Sequence, residues 1–191
     1  HRYVEKIDAE LERIRHLADE IRTLAQVEPS EPVPCRVESL VADTLWMVES
    51  RFKGKQVRIV KRIEAMLPRL SGDPDRLSRA ILNVLVNAFE ATPEGGQITV
   101  TVAEDQHPSG GGSGRGIVVR VANTGSYLSP EEQERVFDLF YTTKKGGSGL
   151  GLPVAHRAVE DHGGTITVRS SVAEGTEFSI FLPKGDGGTP A

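Results

Sequence analysis

Residues 137–152 read Phe137-Asp138-Leu139-Phe140-Tyr141-Thr142-Thr143-Lys144-Lys145-Gly146-Gly147-Ser148-Gly149-Leu150-Gly151-Leu152. The second half is glycine-rich and runs into a helical pattern over Leu152–His162, which Gly163-Gly164 stops. Glycines let successive backbone N–H groups converge, and the N-terminus of the following helix adds positive partial charge. Together those features cradle a chain of phosphates. The same glycines also suit a plain flexible loop. Neither GxxxxGK[ST] nor a GxGxxG after a strand occurs, so the P-loop and the Rossmann turn are excluded. Lys144 and Lys145 stand just upstream, positioned for phosphates or for solvent alone.

Further upstream, Ala80-Ile81-Leu82-Asn83-Val84-Leu85-Val86-Asn87-Ala88 sets two asparagines four apart among aliphatics, on one face of a helix. A buried amide without a partner costs about 1–3 kcal/mol. Such amides are either satisfied within the fold or aimed at a ligand. With Glu90 close behind, the functional reading is a site facing a metal and phosphate oxygens, because amide oxygens suit Mg2+.

Around these segments the chain alternates between helical and strand periodicity. Val37, Leu40, Val41, Leu45, Val48 and Phe52 mark an amphipathic helix, and Val57 to Ile63 alternates like a strand. Asp73 followed by Pro74 is an N-cap with proline at the first helical position, opening a helix to about Ala91. Gln97 to Ala103 and Ile117 to Ala122 read as strands joined by a flexible loop, Ser109 to Gly116. Ser129-Pro130-Glu131-Glu132 is a capping box that starts a short helix ending near Phe140. Thr165 to Arg169 and Thr176 to Leu182 form a last strand pair. Mixed but not strictly alternating elements predict an α+β, two-layer sandwich with helices on one face of an open sheet.

At the other end, Val4, Ile7, Leu11, Ile14, Leu17, Ile21 and Leu24 keep a three-then-four spacing between charged positions, which predicts one long helix. Such a stripe must be buried against a partner helix, a second copy or the chain's own globular part. Pro29 to Pro34, with three prolines, breaks that helix and reads as a linker.

Composition narrows the function classes. Among 191 residues, 23 Lys and Arg against 27 Asp and Glu give a formal charge of -4, leaving no positive field to hold a nucleic-acid backbone. The single cysteine, Cys35, excludes an internal disulfide and any two-cysteine metal spacing, which suits a cytoplasmic setting. No apolar run of about eighteen residues and no signal-peptide pattern occurs, so no membrane contact is expected of this stretch, although a parent protein anchored in a membrane is compatible with it.

Taken in order, Asn83-x-x-x-Asn87-Ala88, Val121-Ala122-Asn123-Thr124-Gly125, Phe137 to Lys144, Gly147 to Leu152 and Gly175-Thr176-Glu177-Phe178 form one series. It resembles the N, G1, F, G2 and G3 boxes of the sensor histidine kinase catalytic domain, in the GHKL superfamily that includes gyrase and the mismatch-repair ATPases. The resemblance covers about Pro34 to Pro183. It implies a Bergerat ATP-binding fold, with ATP and Mg2+ held between the sheet and a mobile lid.

By that resemblance Asn87 holds the metal with Asn83 beside it, both counted as catalytic together with Lys144. Asn123 stands where an aspartate usually accepts from the adenine amino group, with Thr176 nearby. Lys144 and the Gly147, Ser148, Gly149, Leu150 and Gly151 backbone contact phosphates, while Phe137 and Phe140 pack the lid base. Ala88, Glu90, Gly125, Thr143 and Leu152 complete the nucleotide-binding set. His162 before Gly163 matches a common pattern of the family and reads as structural. In the superfamily's hydrolases the residue four before the metal-binding asparagine is typically a glutamate that activates water. Asn83 cannot act as a base, so the site reads as built for phosphoryl transfer.

The resemblance also implies an organisation: residues 1–28 as the second helix of a dimerisation hairpin, 29–34 as linker, 35–185 as the catalytic domain and 186–191 as a flexible tail. It implies a homodimer through the first segment, a phosphoacceptor histidine on a preceding helix, and a response-regulator receiver domain as partner. No histidine here carries the acceptor pattern: His1 precedes Arg2, His16 precedes Leu17, His107 precedes Pro108 and His156 precedes Arg157. His16 reads as a solvated surface residue, and the acceptor is expected before residue 1.

Two departures stand in the G1 box, Asn123 for aspartate and Tyr127 for its second glycine. A neutral bond in place of a charge-assisted one lowers affinity by about 1 kcal/mol, several-fold to tenfold. The competing reading is a degenerate nucleotide-binding or dimerisation module without kinase activity. An anti-sigma serine kinase of the same superfamily lacks support, since the heptad helix suits a dimerisation hairpin.

Overall fold

The structure is a computed structural model that describes residues 31–106, 114–144 and 147–184. The expected helix of residues 1–28 with His16, most of the loop 109–116, Lys145, Gly146 and the tail 186–191 lie outside the described residues.

Seven strands and four helices occur in the described part: β1 Val33–Cys35, α1 Val37–Arg51, β2 Arg58–Ile63, β3 Leu70–Gly72, α2 Pro74–Ala91, β4 Gln97–Gln106, β5 Arg115–Asn123, α3 Pro130–Arg135, α4 Gly151–Asp161, β6 Thr165–Ser171 and β7 Gly175–Pro183. Five strands form a mixed sheet ordered β2-β4-β5-β7-β6, in which only β2 and β4 are parallel. The expected α+β class therefore holds. β1 and β3 make a separate antiparallel pair that periodicity did not signal, because three residues are too few to show alternation. β1 also begins at Val33, inside the stretch read as linker.

One face of the sheet is written in apolar rungs. Val100 pairs with Val121 and Val121 with Phe178; Val102 pairs with Val119 and Val119 with Ile180, which continues to Ile166. All of these are buried, so the alternation of period two carries one side of β4, β5 and β7 into the core. α2 and α4 pack on that face and against each other, with α1 beside α2. α1 buries Val37, Val41, Leu45 and Val48 at helical spacing.

Local signals set the helix ends. Asp73 caps α2, its carboxylate accepting from the Asp75 and Arg76 N–H groups, with Pro74 in the first turn. Ser129 and Glu132 close the reciprocal capping box of α3. That helix ends at Arg135, short of the expected Phe140, which takes φ 65° and cannot continue a right-handed helix. His162 ties two elements together. Its Nε2 accepts from the Asp73 N–H at 2.8 Å, which leaves Nδ1 to donate to the Ala158 carbonyl at 2.6 Å.

Phe178 is fully buried on the central rung and meets Phe137 edge-on at 6.3 Å between centroids. Phe178→Ala is expected to cost about 3–5 kcal/mol in urea unfolding at unchanged m-value. Cys35 is buried, and that burial, with the Asp73 carboxylate adding to it, pushes its thiol above the usual range. Thiol-specific reagent at neutral pH is expected to label it slowly in the native protein and fast after denaturation.

Candidate functional site

A cavity of about 840 Å3 opens between α2, the start of α4, residues 141–144 and 147–149 and the end of β5, of a size that takes a cofactor-sized ligand. α2 contributes Asn83, Val86, Asn87 and Glu90, the positions three and four apart that its inner face brings together. Both asparagines thus do face one space.

The two do different things there. Asn83 Nδ2 donates to the Gly151 carbonyl at 2.8 Å, so its amide ties α2 to the first residue of α4. Asn87 Oδ1 accepts from the Lys144 ammonium at 2.6 Å, and the same ammonium meets Glu90 Oε2 at 2.8 Å. A cation is therefore held between an amide oxygen and a carboxylate oxygen. This is a hard-oxygen donor set, and it fits Mg2+. No group of three or more His, Cys, Asp or Glu side chains able to hold a metal occurs among the described residues.

The glycine-rich loop is shaped by backbone approach. The Phe140 N–H donates to the Gly149 carbonyl at 2.9 Å, closing the loop at its base. Gly149 takes φ 67°, and a Cβ there would collide with the Phe140 backbone. Loop and helix are continuous, so the free N–H groups at the start of α4 border the same cavity.

At the opposite end the sheet supplies a polar rung. Asn123 pairs with Thr176, and Thr176 with Ser170, one rung beyond the apolar ones and on the same face. Asn123 Nδ2 donates to Ser126 Oγ at 2.8 Å, and Ser126 Oγ donates to Thr176 Oγ1 at 2.8 Å. Thr176 and Ser170 hydroxyls are 2.8 Å apart, and Ser170 Oγ donates to the Gly175 carbonyl at 3.2 Å. Gly175 allows this crowding: its φ is 85°, and a Cβ would strike the Asn123 carbonyl. Asn123 and Thr176 are 2% and 4% exposed, so both are buried polar groups with partners.

Most of the residues singled out by sequence line the cavity: Asn83, Asn87, Glu90, Asn123, Thr143, Lys144, Gly147, Ser148, Gly149, Gly151, Leu152 and Thr176. Four do not. Ala88 is fully buried on the core side of α2, and Leu150 turns into the core as the residue before α4. Gly125 lies against the Pro93 ring. Phe140 is 68% exposed where sequence reasoning had it packing the lid base, because its left-handed backbone points it outward; Phe137 alone stacks inward, on His156 and Phe178. Sequence reasoning missed Ser126 and Ser170. Serines in loops and strands carry no signal of their own, and only the fold brings these two to the Thr176 hydroxyl.

Fold and cavity together define the class: an α+β sandwich with a nucleotide-sized cleft beside the end of β5 and the start of β7. The chain belongs to the histidine kinase-, DNA gyrase B- and HSP90-like ATPase family, whose model matches residues 72–186, more than half of it. It is 30% identical over 183 residues to the sensor histidine kinase ZraS of Escherichia coli strain K12, across 96% of this chain and 38% of that protein. Full-length ShkA in complex with AMPPNP superposes with a TM-score of 0.78 at 25% identity, over 95% of this chain and 39% of that one. The histidine kinase ThkA in complex with the response regulator protein TrrA gives 0.77 at 25%, over 96% and 51%.

Asn83→Asp removes the donor to Gly151 and sets a carboxylate against its carbonyl. The substitution is expected to destabilise the domain by about 1–3 kcal/mol, read as a lower urea midpoint.

Proposed function

We propose that this chain is the catalytic ATP-binding module of a sensor histidine kinase. It binds ATP with Mg2+ and passes the γ-phosphoryl to a histidine on a dimerisation hairpin, from which a response-regulator aspartate receives it. The observation that carries the reading is the meeting, in one cavity, of Asn87, Lys144 and the glycine loop at a helix N-terminus, without an unpaired carboxylate among the described residues of its lining. Asn83 is an amide already engaged with Gly151, and Glu90, the one carboxylate lining the cavity among the described residues, is paired with Lys144. Family membership and the likeness to ZraS, ShkA and ThkA support the same conclusion.

In this reading Asn87 Oδ1 would hold the metal ion, which would neutralise charge on the phosphate oxygens. Lys144, released from Asn87 but staying beside Glu90, meets the phosphates, and the loop amides with the start of α4 orient them. Asn123 reads the base. The imidazole nitrogen of the acceptor attacks the γ-phosphorus, the bond from that phosphorus to the bridging oxygen breaks, and ADP departs. Homodimerisation through residues 1–28 and docking of a receiver domain belong to the same proposal. No helix among the described residues is long and apolar enough to cross a membrane.

Asn87→Ala is expected to weaken Mg2+-dependent binding of AMPPNP at least about tenfold in calorimetric titration, with little change when EDTA replaces the metal. With a dimerisation hairpin supplied in trans and radiolabelled ATP, acid-labile, base-stable label should appear on the hairpin histidine. Binding without any label would point to a regulatory nucleotide-binding module, and no heat at millimolar nucleotide would remove the nucleotide reading altogether.

A further inference from the structure

The polar rung holds more information than a buried amide needs. Asn123 has two chemically opposite ends, a carbonyl oxygen and an NH2 group, and which one faces the cavity decides what it recognises. Asn123, Ser126 and Thr176 all line that cavity. Once Nδ2 is committed to Ser126, Oδ1 is the amide atom left for a ligand.

The commitment comes from the far end of the relay. Ser170 Oγ accepts from the Leu128 N–H at 2.9 Å and lies 3.2 Å from the Gly175 carbonyl, which can only accept. With its proton on that carbonyl, Ser170 is left as an acceptor for Thr176, whose hydroxyl also has the Ser126 carbonyl at 3.5 Å. Thr176 in turn accepts from the Ser126 hydroxyl, and Ser126 must then receive a donor from Asn123. Turning the amide over would reverse every hydroxyl down the line and strip the Gly175 carbonyl of its serine partner. The Gly175 carbonyl, at the far end of the line from Asn123 through Ser126, Thr176 and Ser170, thus sets the direction of the chain, and such chains act cooperatively.

We propose that Ser126 and Ser170, acting through Thr176, are positioning residues that hold the Asn123 carbonyl oxygen toward the cavity and so make the site select 6-aminopurine over 6-oxopurine nucleotides. This rests on the nucleotide reading above and adds how the base is chosen. An exocyclic amino group donates to Oδ1, whereas a 6-oxo group would confront it with a second acceptor. An aspartate in this place needs no such relay, since both of its oxygens accept. The asparagine makes orientation matter, and the serines supply it.

The test is titration of the whole chain with AMPPNP and GMPPNP in the presence of Mg2+. The wild type is expected to prefer the adenine analogue by about tenfold or more. Ser126→Ala and Ser170→Ala should each lower AMPPNP affinity and raise GMPPNP affinity, shrinking the preference toward unity. Asn123→Asp should keep the adenine preference, and so should the double variant Asn123→Asp with Ser126→Ala, because the carboxylate has no donor end to present. In the nucleotide-free protein, NMR should show protected Asn123 side-chain amide protons close to the Ser126 β-protons, with the protection lost in Ser170→Ala. A full preference retained in Ser126→Ala, or a double variant as unselective as that single one, would overturn the relay. A wild type that binds both analogues equally sinks the relay and leaves the nucleotide reading standing, while one that binds neither sinks both.

Discussion

The antiparallel register of β5, β7 and β6 is the constraint on which the rest of this molecule depends. Backbone pairing sets Val121 opposite Phe178 and Phe178 opposite Val168, and two residues along each strand the same face reads Asn123, Thr176 and Ser170. The core and the polar end of the cavity are thus successive rungs of one ladder. A slip of one residue would turn the apolar side chains to solvent and the amide and hydroxyls to the wrong face together. Burial of the apolar rungs therefore holds the polar one in register, since moving the second means exposing the first.

The opposite end of the cavity is held by electrostatics and by backbone shape. Lys144 reaches across from the loop to α2, where an amide oxygen and a carboxylate share its ammonium. All three side chains are partly exposed, so the attraction is screened and the ammonium is exchangeable. That suits the proposed role, in which the ammonium leaves Asn87 when a metal and phosphates enter. The loop base is firmer, because the Phe140–Gly149 backbone bond depends on a close approach that only glycine permits. Asn83, bonded to the Gly151 carbonyl, fixes α4 against α2 and so fixes where its free N–H groups lie relative to Asn87. One asparagine of the pair serves the scaffold and the other meets the Lys144 ammonium in the cavity.

Much of this was legible before any coordinates. The helix over Pro74–Ala91 follows from Asp73-Pro74 and from the spacing of Leu77, Ile81, Val84 and Leu85, all interactions within a few residues of chain. The long strands follow from alternation, and the glycine run from its conformational freedom. The order of the motifs carried the resemblance, and with it the expectation that Asn87, Lys144, Asn123 and Thr176 share a site. What remained hidden was short or non-local: the three-residue strands β1 and β3, the outward turn of Phe140, and the partnership of Asn123 with Ser126 and Ser170.

The division has a physical cause. Periodicity, capping and glycine placement are local energies, and a linear chain states them outright. The bond from Asn83 to Gly151 spans 68 residues, that from Lys144 to Asn87 spans 57, and that from Ser126 to Thr176 spans 50. Such partners are chosen by strand register and helix packing, which depend on the whole core at once. The sequence by itself determined which residues bear the chemistry and which elements carry them. Only the tertiary structure decided which end of each amide is free, because that choice lies with hydrogen-bond partners brought from distant parts of the chain.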